Sequence, residues 1–303
     1  MTLPEDSQVA IATRAHIRST ALLEPYTSAL AHVRSLRPDQ PVVIEPSTAQ
    51  SLLEGRIFGH LRQLFDPARP RRTRRGFEVT NVWAEADHLE IAARGADLIA
   101  TIYNLLPAWS PGATAVEHGV PGLRHTSSKH GDGATLYLAG QPGCVTFTGA
   151  SIWEIDSYRE AALHNSALRG AKNDQQMLAL EARSYAARTP DTTAASVVSR
   201  RLGLLMHPSV TSIDSWWTRS GRFDVELIVS GDAPDPMPEI LTALQSPYLT
   251  PRLHLRRMDG YHHFFTIEGS PAEIDVRCLR RPLEVTSATD DSNSAWHMSS
   301  MPV

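Results

Sequence analysis

Two arginine clusters carry the chemistry that is easiest to name in this chain. Arg69, Arg71, Arg72, Arg74 and Arg75 crowd into one short run, and Ser199-Arg200-Arg201 stands before the apolar run Leu202 to Met206. A guanidinium offers two parallel N–H donors that match a phosphate. In a chain of net charge -4, such clusters point to a phosphorylated ligand rather than to a general polyanion surface. Arg72, Arg74, Arg75, Arg200 and Arg201 are therefore the expected phosphate ligands. The competing readings are a solvated charge run for the first cluster and an ordinary helix or strand end for the second.

Other reactive side chains are sparse. Cys144, after Gln141-Pro142-Gly143, is a nucleophile if a nearby cation lowers its pKa and a small buried hydrophobe otherwise. The segment from His118 to Asp132 holds His118, His125 and His130, but no third ligand completes the His130/Asp132 half of a facial triad, and no metal is expected. His262 and His263 are adjacent in a strand, so they face opposite sides and cannot share a site. Trp216-Trp217 offers a stacking surface or a buried anchor. No nucleophile elbow, glycine-rich phosphate loop with lysine, or His-Glu-x-x-His is present.

The 303 residues are 42% hydrophobic and 20% charged, enough for a substantial core. Two cysteines, Cys144 and Cys278, without paired spacing exclude a disulfide scaffold or zinc ribbon and fit a reducing cytoplasm. The start lacks a signal-peptide pattern, and the longest apolar stretch, Asp97 to Trp109, is shorter than the about 20 residues of a membrane span.

These groups need elements to hold them. Val9 to Leu36 and Ser47 to Phe65 have helical spacing, with the basic run following directly. Phe77 to Trp83 has strand composition, Asp97 to Leu106 is a core helix, and Ser110 to Gly143 is a long loop interrupted by the strand Thr135 to Leu138. Val145 to Ile155 reads as extended and Asp174 to Arg188 as a helix. Alternation over Phe223 to Val229, a helix at Pro238 to Leu244, and strands Leu253 to Met258, Tyr261 to Ile267 and Ile274 to Leu279 complete the pattern. The fold expected is α+β, a mixed, mainly antiparallel sheet packed with helices. Residues 1–40 read as an N-terminal helical arm, 41–285 as one α+β domain and 286–303 as a flexible C-terminal tail. No internal repeat is legible.

Gly59-His60-Leu61-Arg62, then Arg72-Thr73-Arg74-Arg75-Gly76 and a strand, together with the later Pro190-Asp191 and Ser199-Arg200-Arg201, resemble the thymidylate synthase and pyrimidine hydroxymethylase superfamily. The resemblance implies a cytoplasmic homodimeric transferase that binds a pyrimidine nucleotide as small-molecule partner and uses a reduced folate as cofactor. The family's Pro-Cys nucleophile motif is missing: Ser212 to Gly221 has no cysteine, which leaves Cys144 as the candidate. That chemistry requires a thiolate that adds to the pyrimidine ring.

The expectation is thus a nucleotide-processing enzyme, a thymidylate-synthase-like C5 transferase. The alternative is a non-catalytic subunit that binds nucleic acid through the basic run, or a protein through the C-terminal sheet. On the enzyme reading, Arg72→Ala and Arg200→Ala weaken nucleotide binding and spare the fold.

Overall fold

A computed structural model describes residues 5–61, 78–94, 98–173, 176–187, 192–218 and 221–281. Helices α1 (Glu5–Leu22) and α2 (Tyr26–Ser35) open the chain. Their apolar stripe, Ala15, Ala21, Leu22, Ala29 and Val33, is buried in the main core, so the expected arm is built into the body of the protein. Arg18 donates to Glu24 and to the carbonyl of Val42, both at 2.6 Å, fastening α1 to the chain that follows. Helix α3 (Thr48–Leu61) comes next and lies very close to its neighbours. A Cβ added at Gly55 would fall 2.2 Å from that of Thr192, and one at Gly59 would fall 2.0 Å from the Trp217 indole nitrogen.

A first sheet follows, built from β1 (Glu78–Ala84), β2 (His88–Arg94), β4 (Leu123–Ser127), β5 (Gly133–Leu138) and β6 (Cys144–Thr148), with α4 (Leu98–Leu105) and the short β3 (Ala108–Trp109) between β2 and β4. Its order is β1-β2-β6-β5-β4, with β2 and β6 parallel and the other pairs antiparallel. Helix α5 (Ile152–Ser166), strand β7 (Arg169–Gly170) paired with β3, and helices α6 (Ala179–Ala187), α7 (Thr193–Ser199) and α8 (Leu202–Leu205) lead onward. The second sheet is made of β8 (Val210–Trp217), β9 (Phe223–Ser230), β10 (Leu253–Asp259), β11 (His262–Ile267) and β12 (Glu273–Arg281), with α9 (Met237–Leu244) between β9 and β10. Its order is β8-β9-β12-β11-β10, with β9 and β12 parallel.

The two sheets are the same motif used twice, down to the register. Val145 pairs with Leu89 and Leu136 in the first, as Ile274 pairs with Phe223 and Phe265 in the second. Leu123 faces Leu138 as Leu253 faces Ile267. Even the turns agree. Gly140 and Gly269, with φ of 75° and 76°, stand third in turns closed by Gln141 N to Leu138 O at 3.0 Å and by Ser270 N to Ile267 O at 3.1 Å. A positive φ there is what a type II turn needs, and a proline follows each, Pro142 and Pro271. An internal repeat therefore exists where the sequence showed none.

The fold is α+β, with mixed, mainly antiparallel sheets packed with helices. Both sheets bury the equivalent face, Leu89, Val145 and Leu136 in one and Phe223, Ile274 and Phe265 in the other, in a single cluster with Leu53 and Ile57 of α3. Each such fully buried side chain contributes about 1.5–3 kcal/mol. The opposite faces point outward. Among the described residues no helix is long and apolar enough to cross a membrane.

Several stretches differ from the sequence reading: the expected loop Ser110 to Gly143 also holds strand β4, the helix expected from Asp174 begins at Ala179, and Val9 to Leu36 is divided between α1 and α2. Val145 to Ile155 is extended only through β6. Helix α5 then begins at a capping box, where Glu154 N donates to Ser151 Oγ at 3.2 Å and Ser151 N to Glu154 Oε2 at 3.1 Å. The apolar run after Arg201 is the short helix α8 rather than a strand.

Candidate functional site

Arg72, Arg74 and Arg75 lie outside the described residues, as does the tail from 286 to 303. Arg200 and Arg201 are described, and both turn inward. Arg200 caps the C-terminus of α7, which packs on α3, and its guanidinium meets the fully buried Glu54: Nη2 donates to Oε1 at 2.7 Å and Nε to Oε2 at 3.0 Å. Its remaining donors go to the carbonyls of Ile44 at 2.6 Å and Glu85 at 2.7 Å. Glu54 also accepts from Ser196 Oγ at 2.5 Å and Gln50 Nε2 at 2.8 Å. Arg201 donates to the carbonyl of Pro251, and burial pulls its pKa down to about 10. These two arginines join helices and loops, and a carboxylate of the chain itself fills the place expected for a phosphate.

Cys144 is half-buried at the start of β6, and its carbonyl accepts from Gln50 Nε2 at 2.9 Å. Burial pushes its thiol up, Glu85 and Asp87 add to this, and Lys129 opposes it. That is the reverse of what an activated nucleophile needs. His125 is fully buried and its Nε2 meets Asp156 Oδ1 of α5 at 2.7 Å. Arg124, on the other side of the same strand, pairs at 2.8 Å with Glu181, both side chains sealed from solvent. Edge strand β4 is thereby clasped by α5 and by the chain leading into α6. Among the described residues no three His, Cys, Asp or Glu side chains are grouped to hold a metal.

The duplicated motif supplies an internal comparison. Across the outward face of the first sheet runs the row Trp83, Glu90, Thr146, Thr135, Thr126. The equivalent row of the second sheet is Trp216, Asp224, Asp275, Phe264, Arg257. In the first, hydroxyls satisfy one another: Thr146 Oγ1 lies 3.0 Å from both Thr135 Oγ1 and His88 Nε2. In the second, charge and aromatic rings replace them.

Asp275 is fully buried there. Its Oδ2 lies 2.7 Å from His262 Nδ1 and 3.8 Å from Arg222 Nη2, while its Oδ1 has no hydrogen-bond partner among the described residues. Arg222 Nε donates to Asp224 at 2.7 Å, a bond that raises the arginine pKa, with burial acting against it. A carboxylate that accepts this contact takes it from Nδ1–H of the imidazole, an arrangement that leaves Nε2 for a ligand. Around this pair the rings are layered. Tyr261 stacks on His262 at 4.5 Å, His262 on Phe264 at 5.8 Å, and Arg257 lies over Phe264 at 4.1 Å. Arg277 covers Trp216 at 4.4 Å and pairs with Glu226 at 3.0 Å.

Burying a carboxylate costs several kcal/mol. The first sheet shows that this register needs no such charge, because Thr146 stands where Asp275 does. The cluster on the second sheet is therefore not required by the fold, which makes this face the candidate site. Behind it, on the core side of the same strands, a groove of about 460 Å³ opens between Met237, Leu241, Met258, Cys278 and His263, with Tyr261 at the rim shared by groove and face. His262 and His263 thus serve opposite sides. The residues that sequence reading missed are Asp275, Phe264, Arg257 and Arg222. Of these only Arg222 has a local signal, the recurrence of Trp, a basic residue, an apolar residue and an acid in Trp83…His88-Leu89-Glu90 and Trp216…Arg222-Phe223-Asp224.

No family model matches this chain, and neither a curated protein nor a solved structure is similar to it.

Proposed function

We propose that the outward face of the second sheet binds nucleotides, free or as units of a single strand, with the base stacked on the exposed Tyr261 at the outer end of the Tyr261–His262–Phe264 layer and a phosphate held by Arg257. The observation that carries this reading is Arg257 itself. It is exposed, it lies over an aromatic ring, and it makes no ion pair among the described residues. The other arginines of the face are already matched, Arg222 to Asp224, Arg277 to Glu226 and Arg256 to Glu273. Stacking then supplies most of the affinity, about 1–3 kcal/mol per base, and few counterions are released, so binding falls only gently with salt.

The nucleotide is the part of the sequence expectation that this reading keeps. Folate-dependent transfer to a pyrimidine ring would require an activated thiolate, and burial raises the thiols of both Cys144 and Cys278. Two free thiols suit a reducing, cytoplasmic setting.

The test is calorimetric titration with pyrimidine and purine mononucleotides and with short single-stranded RNA and DNA, at low and moderate salt. Binding that Arg257→Ala and Tyr261→Ala each weaken roughly 5- to 150-fold, the equivalent of about 1–3 kcal/mol, supports the reading, provided both variants keep the wild-type melting temperature. Binding untouched by both variants, or lost only with Arg72→Ala, moves the site to the basic run. Absence of binding to every probe removes the nucleotide reading.

A further inference from the structure

We infer that His262, oriented by Asp275, is a general base, and that RNA bound on this face is cleaved by attack of a ribose 2′-hydroxyl on the neighbouring phosphate. The inference rests on the nucleotide reading above and adds a reaction to it.

The geometry is that of an oriented base. Asp275 is sealed and fixes His262 through Nδ1 at 2.7 Å, while the imidazole, a quarter of its side chain exposed, turns Nε2 to the ligand side. Among the described residues the other histidine–aspartate pair has the opposite arrangement, with the imidazole of His125 sealed and its carboxylate partner half-exposed, so it reaches no ligand. The internal duplicate sharpens the point. Strand register places Gly133 opposite Thr148 as it places His262 opposite Arg277. The first sheet therefore has glycine and threonine, Gly133 and Thr146, where the second has His262 and Asp275. Both members of the pair are additions to a frame that folds without them.

The phosphate ligand is close by. His262 and Arg257 both lie within 6 Å of the Phe264 ring centre, at 5.8 and 4.1 Å. The ring thus carries both groups as neighbours, the imidazole a quarter exposed and the guanidinium exposed above the buried Phe264, and a strand laid across them offers its phosphates to each.

In the step itself, His262 Nε2 takes the proton of the 2′-hydroxyl and the freed oxygen forms a bond to phosphorus. The bond from phosphorus to the 5′ oxygen breaks, and that oxygen takes a proton from water. The imidazolium then returns its proton to solvent, leaving a 2′,3′-cyclic phosphate and a 5′-hydroxyl end. Arg257 neutralises charge that builds on the non-bridging oxygens. His262 is the catalytic residue and Asp275 a positioning residue.

The experiment incubates the full chain, with a chelator present, with a fluorescein-labelled single-stranded RNA of mixed sequence and with the DNA of the same sequence, and follows binding by anisotropy alongside cleavage. Expected is cleavage of RNA only, ending in a 2′,3′-cyclic phosphate. His262→Ala should lose about 10²- to 10⁴-fold in rate per folded molecule, and added imidazole should restore part of the loss. His262→Gln, closer in size, should be as slow. The groups around His262 are Asp275, Arg222, Tyr261 and the register neighbours Arg277 and Asp259. Of these only Asp275 contacts Nδ1, so Asp275→Asn should slow cleavage with RNA affinity unchanged, and Asp275→Glu should restore part of the rate. RNA that binds yet stays intact overturns the cleavage inference alone, as does wild-type cleavage by His262→Ala. RNA that does not bind overturns the nucleotide reading with it.

Discussion

Trp83 and Trp216 hold the same position in two sheets. Each stands on the first strand of its motif, and each faces an acid on the second, Glu90 and Asp224 respectively. That shared pair belongs to the frame common to both sheets, and the residues that differ beyond it are particular to one sheet. A side chain present in both copies is accounted for by folding. One present in a single copy at an equivalent position needs another reason.

Asp275→Thr follows from that comparison, since it gives the second sheet the residue the first has at Thr146. The substitution removes a buried carboxylate with one unpartnered oxygen and leaves Arg222 bonded to Asp224. Stability is expected to stay level or rise in urea unfolding, while ligand binding or cleavage at the face is lost. A loss of more than about 2 kcal/mol would show that the aspartate serves the fold.

Arg200→Ala should do the reverse of what a phosphate ligand would do. It strips a guanidinium from a carboxylate that is fully buried and leaves Glu54 with only Ser196 and Gln50. Breaking a buried pair from one side costs about 3–5 kcal/mol. The unfolding midpoint should therefore drop sharply, with nucleotide affinity unchanged in whatever fraction remains folded. A stable variant with weakened affinity would return Arg200 to the ligand.

Why the partner of Arg200 is not legible in the sequence, while the sheet around Phe223 is, is a matter of distance along the chain. Alternation over Phe223, Val225, Leu227 and Val229 is local, and all four residues are buried as that pattern predicts. The fate of Arg200 depends on Glu54, which is 146 residues away, and no local pattern carries that information. The duplication was hidden for a related reason. The turn joining β8 to β9 is longer than the one joining β1 to β2, so the spacing between equivalent residues drifts and a search for one fixed period misses it. The candidate site needs both non-local facts, since Asp275 and His262 meet only through strand pairing.

Cys144 should behave as an inert thiol. Burial and the acids Glu85 and Asp87 hold its pKa up, so alkylation by iodoacetamide near neutral pH should be slower than that of a free thiol, and Cys144→Ala should bind nucleotides as wild type does. Rapid alkylation, or loss of function in Cys144→Ala, would restore it as a nucleophile.

Acidification offers a test of the first sheet. Burial holds the pKa of His125 below its usual value, with Asp156 pulling only partly the other way, so the folded state binds this proton less readily than the unfolded chain does. Its stabilising effect is therefore complete above the unfolded value of about 6.5 and is lost as pH falls from there through the folded value. His32, also lowered by burial, acts in the same direction elsewhere. The informative quantity is thus the difference between wild type and His125→Gln. Melting temperatures taken between about pH 7 and about pH 5 should fall more steeply for wild type than for the variant. Parallel curves would mean that His125 takes up its proton without leaving its place, and that its contact with Asp156 is kept as an ion pair rather than as a hydrogen bond from a neutral ring.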